Sequence, residues 1–344
     1  MNKMLVVKRD KIGDMLLTTP LFAHLKAVRP DIELHVLAND YNAWVLADNP
    51  HVDRLWVYRR ARQGGKLRIG AALHEAAQTL ALRWQRFDAV LIGNGEESPR
   101  AIQRGLRLGA RRTLAYGEAR RYPGLSDALT PRPGSHESAR LLALAEPLGI
   151  PAPPVPPLPA YVFPADEVAP ALAWLARHGL APGAYVVLGL GARRPKKQPT
   201  AAQVLEWTER IHRELGLATV FMWTPGRSDN PDYPGDDDVA QPVLDAKAPW
   251  LVPFRGPLRP AIGLVWHART SVFPDSGLMH FAAASPGGVL GLFAETDVSP
   301  HPTQWGPRGH NAAYLEAVKS VAELATDTVI GQVAALVAGS ARKA

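Results

Sequence analysis

One carboxylate near the amino terminus stands where it could take part in chemistry. Asp14 follows a short apolar run at residues 4–7 and a polar turn that contains Gly13, and leucines with helical spacing follow it. A carboxylate in the first turn of a helix is stabilised by the helix dipole, which is a purely structural role. The other reading is a general base that accepts a proton from a bound hydroxyl. The local sequence leaves both roles open.

A second candidate is the basic loop at residues 189–200. Its glycines, Gly189 and Gly191, lack the third glycine of a dinucleotide fingerprint. Cationic side chains stand at positions 193, 194, 196 and 197, although this half of the chain is near neutral. The loop after the first strand of a Rossmann-like domain commonly holds a diphosphate. A diphosphate site and a solvated turn are both compatible with this pattern.

The most specific candidate is the segment 273–284, where an apolar strand ends in Asp275, Ser276 and Gly277 and a helix of small residues begins. Unpaired amides at such a helix start can bind phosphate oxygens. Asp275 can accept hydrogen bonds from sugar hydroxyls. His280 comes one turn later, and a lone histidine in a helix is often only a packed residue, so both readings stay open for it.

Strand and helix patterns alternate on both sides of a proline-rich segment, residues 147–164, which cannot supply a sheet ladder. This alternation predicts the α/β class, with parallel sheets covered by helices on both faces. We predict an N-terminal Rossmann-like domain at residues 1–155, a C-terminal one at 156–326, and a C-terminal helix and tail at 327–344. Because open α/β sheets bind ligands at the carboxyl ends of their strands, the two sheets should face a central cleft.

The individual elements follow from the apolar periodicity. Strands are predicted at residues 4–8, 33–38, 55–58, 89–93, 113–116, 185–190, 219–223, 250–254, 270–273 and 289–293. Helices are predicted at 73–82, 98–108, 137–148, 201–215 and 278–284, with further helical stretches at 16–28 and after 327.

The net charge of +7 is unevenly distributed along the chain. Residues 1–150 hold 23 Lys and Arg against 15 Asp and Glu, a balance of +8, and the remainder holds 16 against 17, a balance of −1. The basic half is therefore expected to bind something anionic, such as nucleic acid, a membrane surface or a phosphorylated substrate. A solvated Arg-rich surface is the alternative. Signatures of nucleic-acid binding modules are absent, so no nucleic-acid partner is expected.

No apolar run reaches the roughly 18 residues of a membrane span, and the amino terminus does not have the pattern of a signal peptide. We therefore expect a cytoplasmic protein. Cysteine is absent, which excludes disulfides, thiolate nucleophiles and cysteine metal sites. The histidines have no metal-ligand spacing, so neither a metal nor another cofactor is expected.

Four segments taken together resemble glycosyltransferase family nine, the ADP-heptose:lipopolysaccharide heptosyltransferases. They occur in the family's order and approximate spacing over roughly residues 3–310, and the block that begins at Asp275 is the diagnostic one. The segments are Lys11-Ile12-Gly13-Asp14 with Thr18-Thr19-Pro20, Gly191 with Lys196 and Pro199, Asp275-Ser276-Gly277-Leu278-Met279-His280 with Ala282-Ala283-Ala284, and Leu292-Phe293 with Thr296-Asp297 and Gly306-Pro307.

The resemblance implies a GT-B fold and an inverting, metal-independent transfer of heptose from ADP-heptose to the inner core of lipopolysaccharide. By the same resemblance Asp14 is the catalytic base and Lys196 contacts the donor's phosphates. The other residues implied for the donor site are Gly191, Ala192, Asp275, Ser276, Gly277 and His280.

The basic N-terminal domain would then face the phosphorylated, Kdo-bearing acceptor. This acceptor implies peripheral contact with the cytoplasmic face of the inner membrane. Five basic residues, chosen because they cluster in the sequence, are the candidates for the acceptor contact: Arg60, Arg62, Lys66, Arg120 and Arg121.

Several positions depart from the family's pattern. Gln198 replaces the usual aromatic residue before Pro199, and residues 294–295 are Ala-Glu where Gly-Pro is usual. The acidic residue that holds the ribose has no clear match after Trp223. The alternatives are therefore a same-fold glycosyltransferase with a different nucleotide sugar or acceptor, or a non-catalytic binder of anionic glycolipid or nucleic acid. The second alternative would leave the base and the donor loops unexplained.

Overall fold

The chain divides into two compact units, Met1–Val162 and Phe163–Ala344. The computed structural model describes residues 2–59, 62–63, 66–67, 69–191, 194–230, 234–298 and 301–341. The division falls inside the proline-rich segment, after Val162 rather than after residue 155 as predicted.

The first unit is built on a parallel six-stranded sheet. Its strands are β1 (Lys3–Lys8), β2 (Glu33–Asn39), β3 (Arg54–Tyr58), β4 (Arg62–Gln63), β5 (Lys66–Leu67), β6 (Ala89–Ile92), β7 (Arg112–Tyr116) and β8 (Asp127–Leu129). Its α-helices are α1 (Ile12–Leu16), α2 (Thr19–Val28), α3 (Ile69–Trp84), α4 (Pro99–Leu106) and α5 (Glu137–Ala143). The sheet order is β3-β2-β1-β6-β7-β8, and β4 and β5 form a separate antiparallel hairpin.

The second unit repeats this architecture. Its strands are β9 (Tyr185–Gly189), β10 (Ala218–Met222), β11 (Leu251–Phe254), β12 (Thr270–Pro274), β13 (Val289–Ala294) and β14 (Ala312–Ala317). Its α-helices are α6 (Ala165–Arg177), α7 (Ala201–Leu215), α8 (Asp237–Asp245), α9 (Leu258–Trp266), α10 (Gly277–Ala284), α11 (Pro302–Trp305) and α12 (Thr326–Ala341). The sheet is parallel, in the order β11-β10-β9-β12-β13-β14.

Both sheets thus have the strand order 3-2-1-4-5-6 of Rossmann-like domains, in which the direction of winding reverses beside the first strand. The central strands are continuous apolar runs because helices cover both faces of each sheet. Strands β9 and β13 are buried along their whole length. Trp207 of α7 and Val333 of α12 belong to the same buried cluster on one face of the second sheet. The predicted α/β class with two Rossmann-like sheets is confirmed.

The structure differs from the sequence prediction where prolines interrupt the apolar pattern. The predicted helical stretch 16–28 is divided into α1 and α2, because Pro20 has no N–H to continue the hydrogen-bond ladder. Three of the helices that were not predicted contain a proline after their first residue, at positions 170, 242 and 260. Strands β8 and β14 also escaped prediction; they are sheet edges with half-exposed residues. Within the described residues, no helix combines the length and the apolar character of a membrane span.

Candidate active site

In the first unit the candidate base lies at the carboxyl edge of the sheet, beside the strands where the winding direction reverses. Asp14 is the third residue of α1, which begins directly after the loop that follows β1. Asn39 and Asn42 hold this loop, because their side-chain amides donate to the backbone carbonyls of Arg9 and Asp10. The helix start is therefore fixed from the neighbouring strand β2.

Asp14 makes the contact of the capping role, and its environment is also one that a general base would need. Its Oδ2 accepts a hydrogen bond from the amide of Lys11 at 3.1 Å, which is the structural role of a helix-capping carboxylate. Within the described residues its Oδ1 accepts no hydrogen bond. Burial raises the pKa of Asp14 above its ordinary value, while Lys8 acts in the opposite direction. A carboxylate with a raised pKa and an available oxygen is suited to accept a proton.

A buried lysine lies beneath Asp14. Lys8 is fully buried, and its Nζ donates to the carbonyl of Gly93 at 2.6 Å and pairs with Asp10 at 3.1 Å. Burial by itself lowers the pKa of Lys8, but Asp10, Asp14 and Glu137 together raise it above the ordinary value. The ammonium is therefore charged, and it offsets part of the repulsion among the carboxylates around Asp14.

Helix α5 contributes two residues that contact the loops around this site. Buried Glu137 accepts a hydrogen bond from the amide of Gly95 at 2.8 Å, and a side chain at Gly95 would collide with that carboxylate. The hydroxyl of Ser138 donates to the carbonyl of Leu17 at 3.0 Å, just after α1. Sequence reasoning missed Glu137 and Ser138, because only the fold brings them next to the loops around α1.

The acceptor candidates are only partly described. Arg60 lies outside the described residues, as do the side chains of Arg62 and Lys66. Arg120 and Arg121 are exposed in the loop after β7, at the same edge of the sheet as Asp14. Arg121 pairs with Glu97 at 2.9 Å.

In the second unit a cavity of about 250 Å³ opens at the carboxyl ends of β9, β10, β11 and β12. Among the residues that line it are Gly191, Trp223, Pro225, Phe254 and Leu278. Its walls are thus largely apolar and aromatic, as in sites that accept a flat ring. Sequence reasoning missed this cavity, because its walls come from four separate strand ends.

Gly191 is the predicted donor residue that lines the cavity, whereas Ala192 lies outside the described residues. A side chain at position 191 would come within 3.9 Å of Ser276, an ordinary contact distance. The loop after β9 and the start of α10 are therefore neighbours. The structure brings together the second and third sequence candidates.

The two adjacent lysines of the basic loop point in different directions. They belong to a 3-10 turn, Pro195–Lys197. The side chain of Lys196 is 64% exposed and pairs with Glu295 at 3.0 Å, whereas that of Lys197 is 4% exposed and pairs with Asp275 at 3.1 Å. Sequence reasoning missed Lys197, which fixes the Asp275 carboxylate from inside the protein.

Glu295 has an unusual backbone for its residue type. It is one of few described non-glycine residues with positive φ, at 54°. Such a conformation strains a non-glycine residue, and strain of this kind often marks a functional position. This conformation places the Glu295 carboxylate beside Lys196. Position 295 is also one where the sequence differs from the usual family pattern.

The start of α10 has amides without a side-chain cap. Ser276 is the residue before the helix, and its side chain makes no capping bond; its buried Oγ has no partner within the described residues. Gly277 is the first residue of the helix. Unpaired amides and a hydroxyl at one helix start can bind an anion such as a phosphate.

His280 is buried one turn into α10. Burial lowers its pKa to about 4, and the nearby Asp275 opposes this only in part. Its Nδ1 has no partner within the described residues. The imidazole is therefore neutral near pH 7 and can donate or accept a hydrogen bond without adding charge.

Gln198, which follows the two lysines in the basic loop, is buried. Its side-chain amide donates to Asp236, which also accepts the amide of Thr224 at 2.8 Å. Burial raises the pKa of Asp236. Because Thr224 lines the cavity, Gln198 and Asp236 together hold the wall that follows β10.

The sequence matches the model of a family described as Glycosyltransferase family 9 (heptosyltransferase) over residues 77–333, which is well over half of the chain. The chain belongs to glycosyltransferase family 9. The resemblance that the motifs indicated is confirmed, and the protein is a glycosyltransferase. No curated protein matches the sequence.

Solved structures share the fold over nearly their whole length. A family 9 glycosyltransferase from Veillonella parvula DSM 2008 is 19% identical, with a TM-score of 0.81, over 98% of this chain and 97% of that one. E. coli ADP-heptose lps heptosyltransferase II is 20% identical, with a TM-score of 0.73, over 99% and 100% of the two chains. E. coli heptosyltransferase WaaC with ADP is 18% identical, with a TM-score of 0.74, over 97% and 99%. At these identities the likeness shows the fold, which is the GT-B-like α/β fold that the resemblance implied.

Proposed function

We propose that this family 9 glycosyltransferase moves a heptose from ADP-heptose to the inner core of lipopolysaccharide, with inversion at the anomeric carbon. The observation that carries the mechanism is Asp14, a carboxylate that is held at a helix start, has a raised pKa and keeps one oxygen available. The identity of the donor is supported by family membership and by the WaaC structure, which contains ADP.

The reaction is a single displacement. The acceptor hydroxyl, held by the first unit, attacks the anomeric carbon of the donor and loses its proton to Asp14. The bond from that carbon to the diphosphate oxygen breaks on the opposite face, and ADP leaves. The departing diphosphate gains negative charge, which Lys196 and the amides of Ser276 and Gly277 stabilise. These groups take the place that a metal ion has in other enzymes.

The donor site is assigned to the second unit. The adenine ring occupies the cavity beside Trp223 and Phe254, and the diphosphate lies at the start of α10 next to Gly191. Asp275, fixed by Lys197, accepts hydrogen bonds from the sugar, and the neutral His280 offers its Nδ1 for a further hydrogen bond to the donor.

The acceptor is assigned to the first unit, whose excess of basic residues suits a phosphorylated, Kdo-bearing oligosaccharide. Such an acceptor is carried by a lipid, so the enzyme works at the cytoplasmic face of the inner membrane as a peripheral protein. Arg120 and Arg121 are the described candidates for contact with its anionic groups.

The test is a transfer assay with the full chain, ADP-heptose and an acceptor that lacks heptose. Mass spectrometry should find one heptose added per acceptor, one ADP should be released for each transfer, and the new linkage should have inverted configuration. A panel of other sugar nucleotides tests the same-fold alternative, which the departures at Gln198 and Glu295 keep open. Transfer from another donor alone, or a retained configuration, would overturn the proposal.

A further inference from the structure

One face of helix α3 packs against the rest of the first unit. Leu82 belongs to the hydrophobic core, and Glu75 pairs with Arg104 of α4 at 2.7 Å. Gln78 donates a side-chain hydrogen bond to the carbonyl of Val57 in β3 at 2.9 Å. Positions 75, 78 and 82 recur at helical spacing and define the inward face.

The opposite face of α3 is apolar and exposed. Leu73, Ala77, Leu80 and Trp84 follow the spacing i, i+4, i+7, i+11 and are called the α3 stripe here. Leu73 is 67% exposed, Leu80 is 60% exposed and Trp84 is 85% exposed, while Ala77 is also exposed. A tryptophan of this exposure at the end of an apolar stripe indicates a binding surface rather than a scattered surface residue.

Most of the positive charge of the first half lies in the sequence segment that contains this stripe. Residues 59–86 hold seven Lys and Arg against one Glu, a balance of +6, out of the +8 carried by residues 1–150. Arg83 and Arg86 lie on either side of Trp84 in the sequence and are exposed. A helix with an apolar stripe, a terminal tryptophan and flanking arginines matches the composition of interfacial helices, which lie in the plane of a membrane.

The charge distinguishes a lipid surface from a second copy of this chain. A two-fold dimer would place this surface against itself, so that the arginines of one copy would lie against those of the other. An anionic bilayer would instead attract every one of them. Charge complementarity therefore favours lipid.

We propose that the α3 stripe is the surface by which this protein binds a bilayer that contains anionic headgroups. Trp84, Leu80 and Leu73 insert between the headgroups, and the exposed Arg83 and Arg86 beside Trp84 face the lipid charges. The inference rests on the proposed function in one respect, that a transferase with a lipid-carried acceptor works at a membrane surface.

The test measures binding of the full chain to vesicles of phosphatidylcholine alone and to vesicles that also contain phosphatidylglycerol. The wild type should bind the anionic vesicles, lose binding as salt rises, and bind the neutral ones weakly. The variant Leu80→Gln with Trp84→Gln should lose about tenfold or more in partitioning, because both apolar side chains are removed from the contact. Glutamine is a good helix former, and an unchanged thermal transition will establish that α3 is intact.

Val318→Gln is the matched control, since Val318 is 79% exposed but belongs to the second unit. This variant should bind like the wild type. Wild-type binding by the α3 variant, or absence of binding to anionic vesicles, would overturn the inference. A solution dimer that the same α3 substitutions abolish would assign the stripe to a second copy instead.

Transfer to a soluble acceptor oligosaccharide separates this inference from the proposed function. The α3 variant should keep that transfer while it loses vesicle binding. Absence of transfer in the wild type with normal vesicle binding would count against the proposed function alone.

Discussion

In the first unit the strand β1 ends in a buried lysine surrounded by carboxylates, whereas in the second unit the equivalent strand β9 ends in a glycine beside a cavity. At Gly189 an added side chain would collide with the ring of Phe273, so the glycine leaves room for this ring, and both residues line the cavity. At the equivalent position of the first unit, the end of β1, the buried side chain of Lys8 places a positive charge. The same strand order therefore carries the proposed base in one unit and the proposed donor cavity in the other.

The substitution Asp14→Asn should have the largest effect, which is on kcat. The amide oxygen keeps the hydrogen bond from Lys11 but cannot take the acceptor's proton, so kcat should fall by about 10³-fold while ADP affinity stays unchanged. Steady-state kinetics and calorimetry with ADP measure the two quantities. Asp31→Asn, on the surface of the same unit beside Arg29, is the control and should leave both unchanged. Wild-type turnover in Asp14→Asn would remove Asp14 from the role of base.

Lys197→Met should reveal a structural lysine in the second unit. It leaves the largely buried carboxylate of Asp275 without its cation, which should lower the free energy of unfolding by about 3 kcal/mol. Urea denaturation measures the loss. Lys196→Met, at the exposed neighbouring position, is the control and should change stability by less than about 1 kcal/mol. Equal losses in the two variants would contradict the different orientations of the lysines.

Opposite changes in donor affinity are expected from the Lys196 and Glu295 pair. Lys196→Ala should weaken ADP binding about tenfold, because a cation near the diphosphate is lost. Glu295→Gln should tighten ADP binding about twofold, since a carboxylate that competes for Lys196 is removed. Calorimetry measures both. Glu209→Gln, on the exposed surface of α7, is the control for loss of one negative charge. A weaker affinity in Glu295→Gln would show that this carboxylate helps to hold the donor.

The smallest effect concerns the pH dependence of turnover. The base must be ionised, so kcat should fall as pH drops through the pKa of Asp14, which burial raises above the ordinary aspartate range. Asp10 raises that pKa further, whereas Lys8 and Lys11 lower it. Asp10→Asn should therefore move the acidic limb of the kcat profile to lower pH, by less than about one unit. A shift to higher pH would mean that Asp10 supports the base mainly by holding Lys8.

The sequence predicts the two sheets well because their central strands are continuous apolar runs, which are buried along their whole length. The predicted 289–293 and the observed β13 differ by a single terminal residue. Helices that contain a proline, such as α8, and edge strands such as β14 were missed because their patterns are interrupted or weak.

The candidate site was predictable where its residues are consecutive, as from Asp275 to Gly277. It was not predictable where a hydrogen-bond partner comes from a distant part of the sequence. Glu137 reaches Gly95 only because α5 folds back over the end of β6. Nor can spacing tell which of two adjacent lysines is buried, since tertiary packing decides which way each side chain leaves the turn Pro195–Lys197.

The division of roles between the two units is tested most directly by a crystal structure with ADP bound. The account predicts the adenine in the cavity beside Trp223 and Phe254 and the diphosphate at the amides of Ser276 and Gly277, within reach of Lys196. A nucleotide bound instead in the first unit, at the loop between β1 and Asp14, would contradict it.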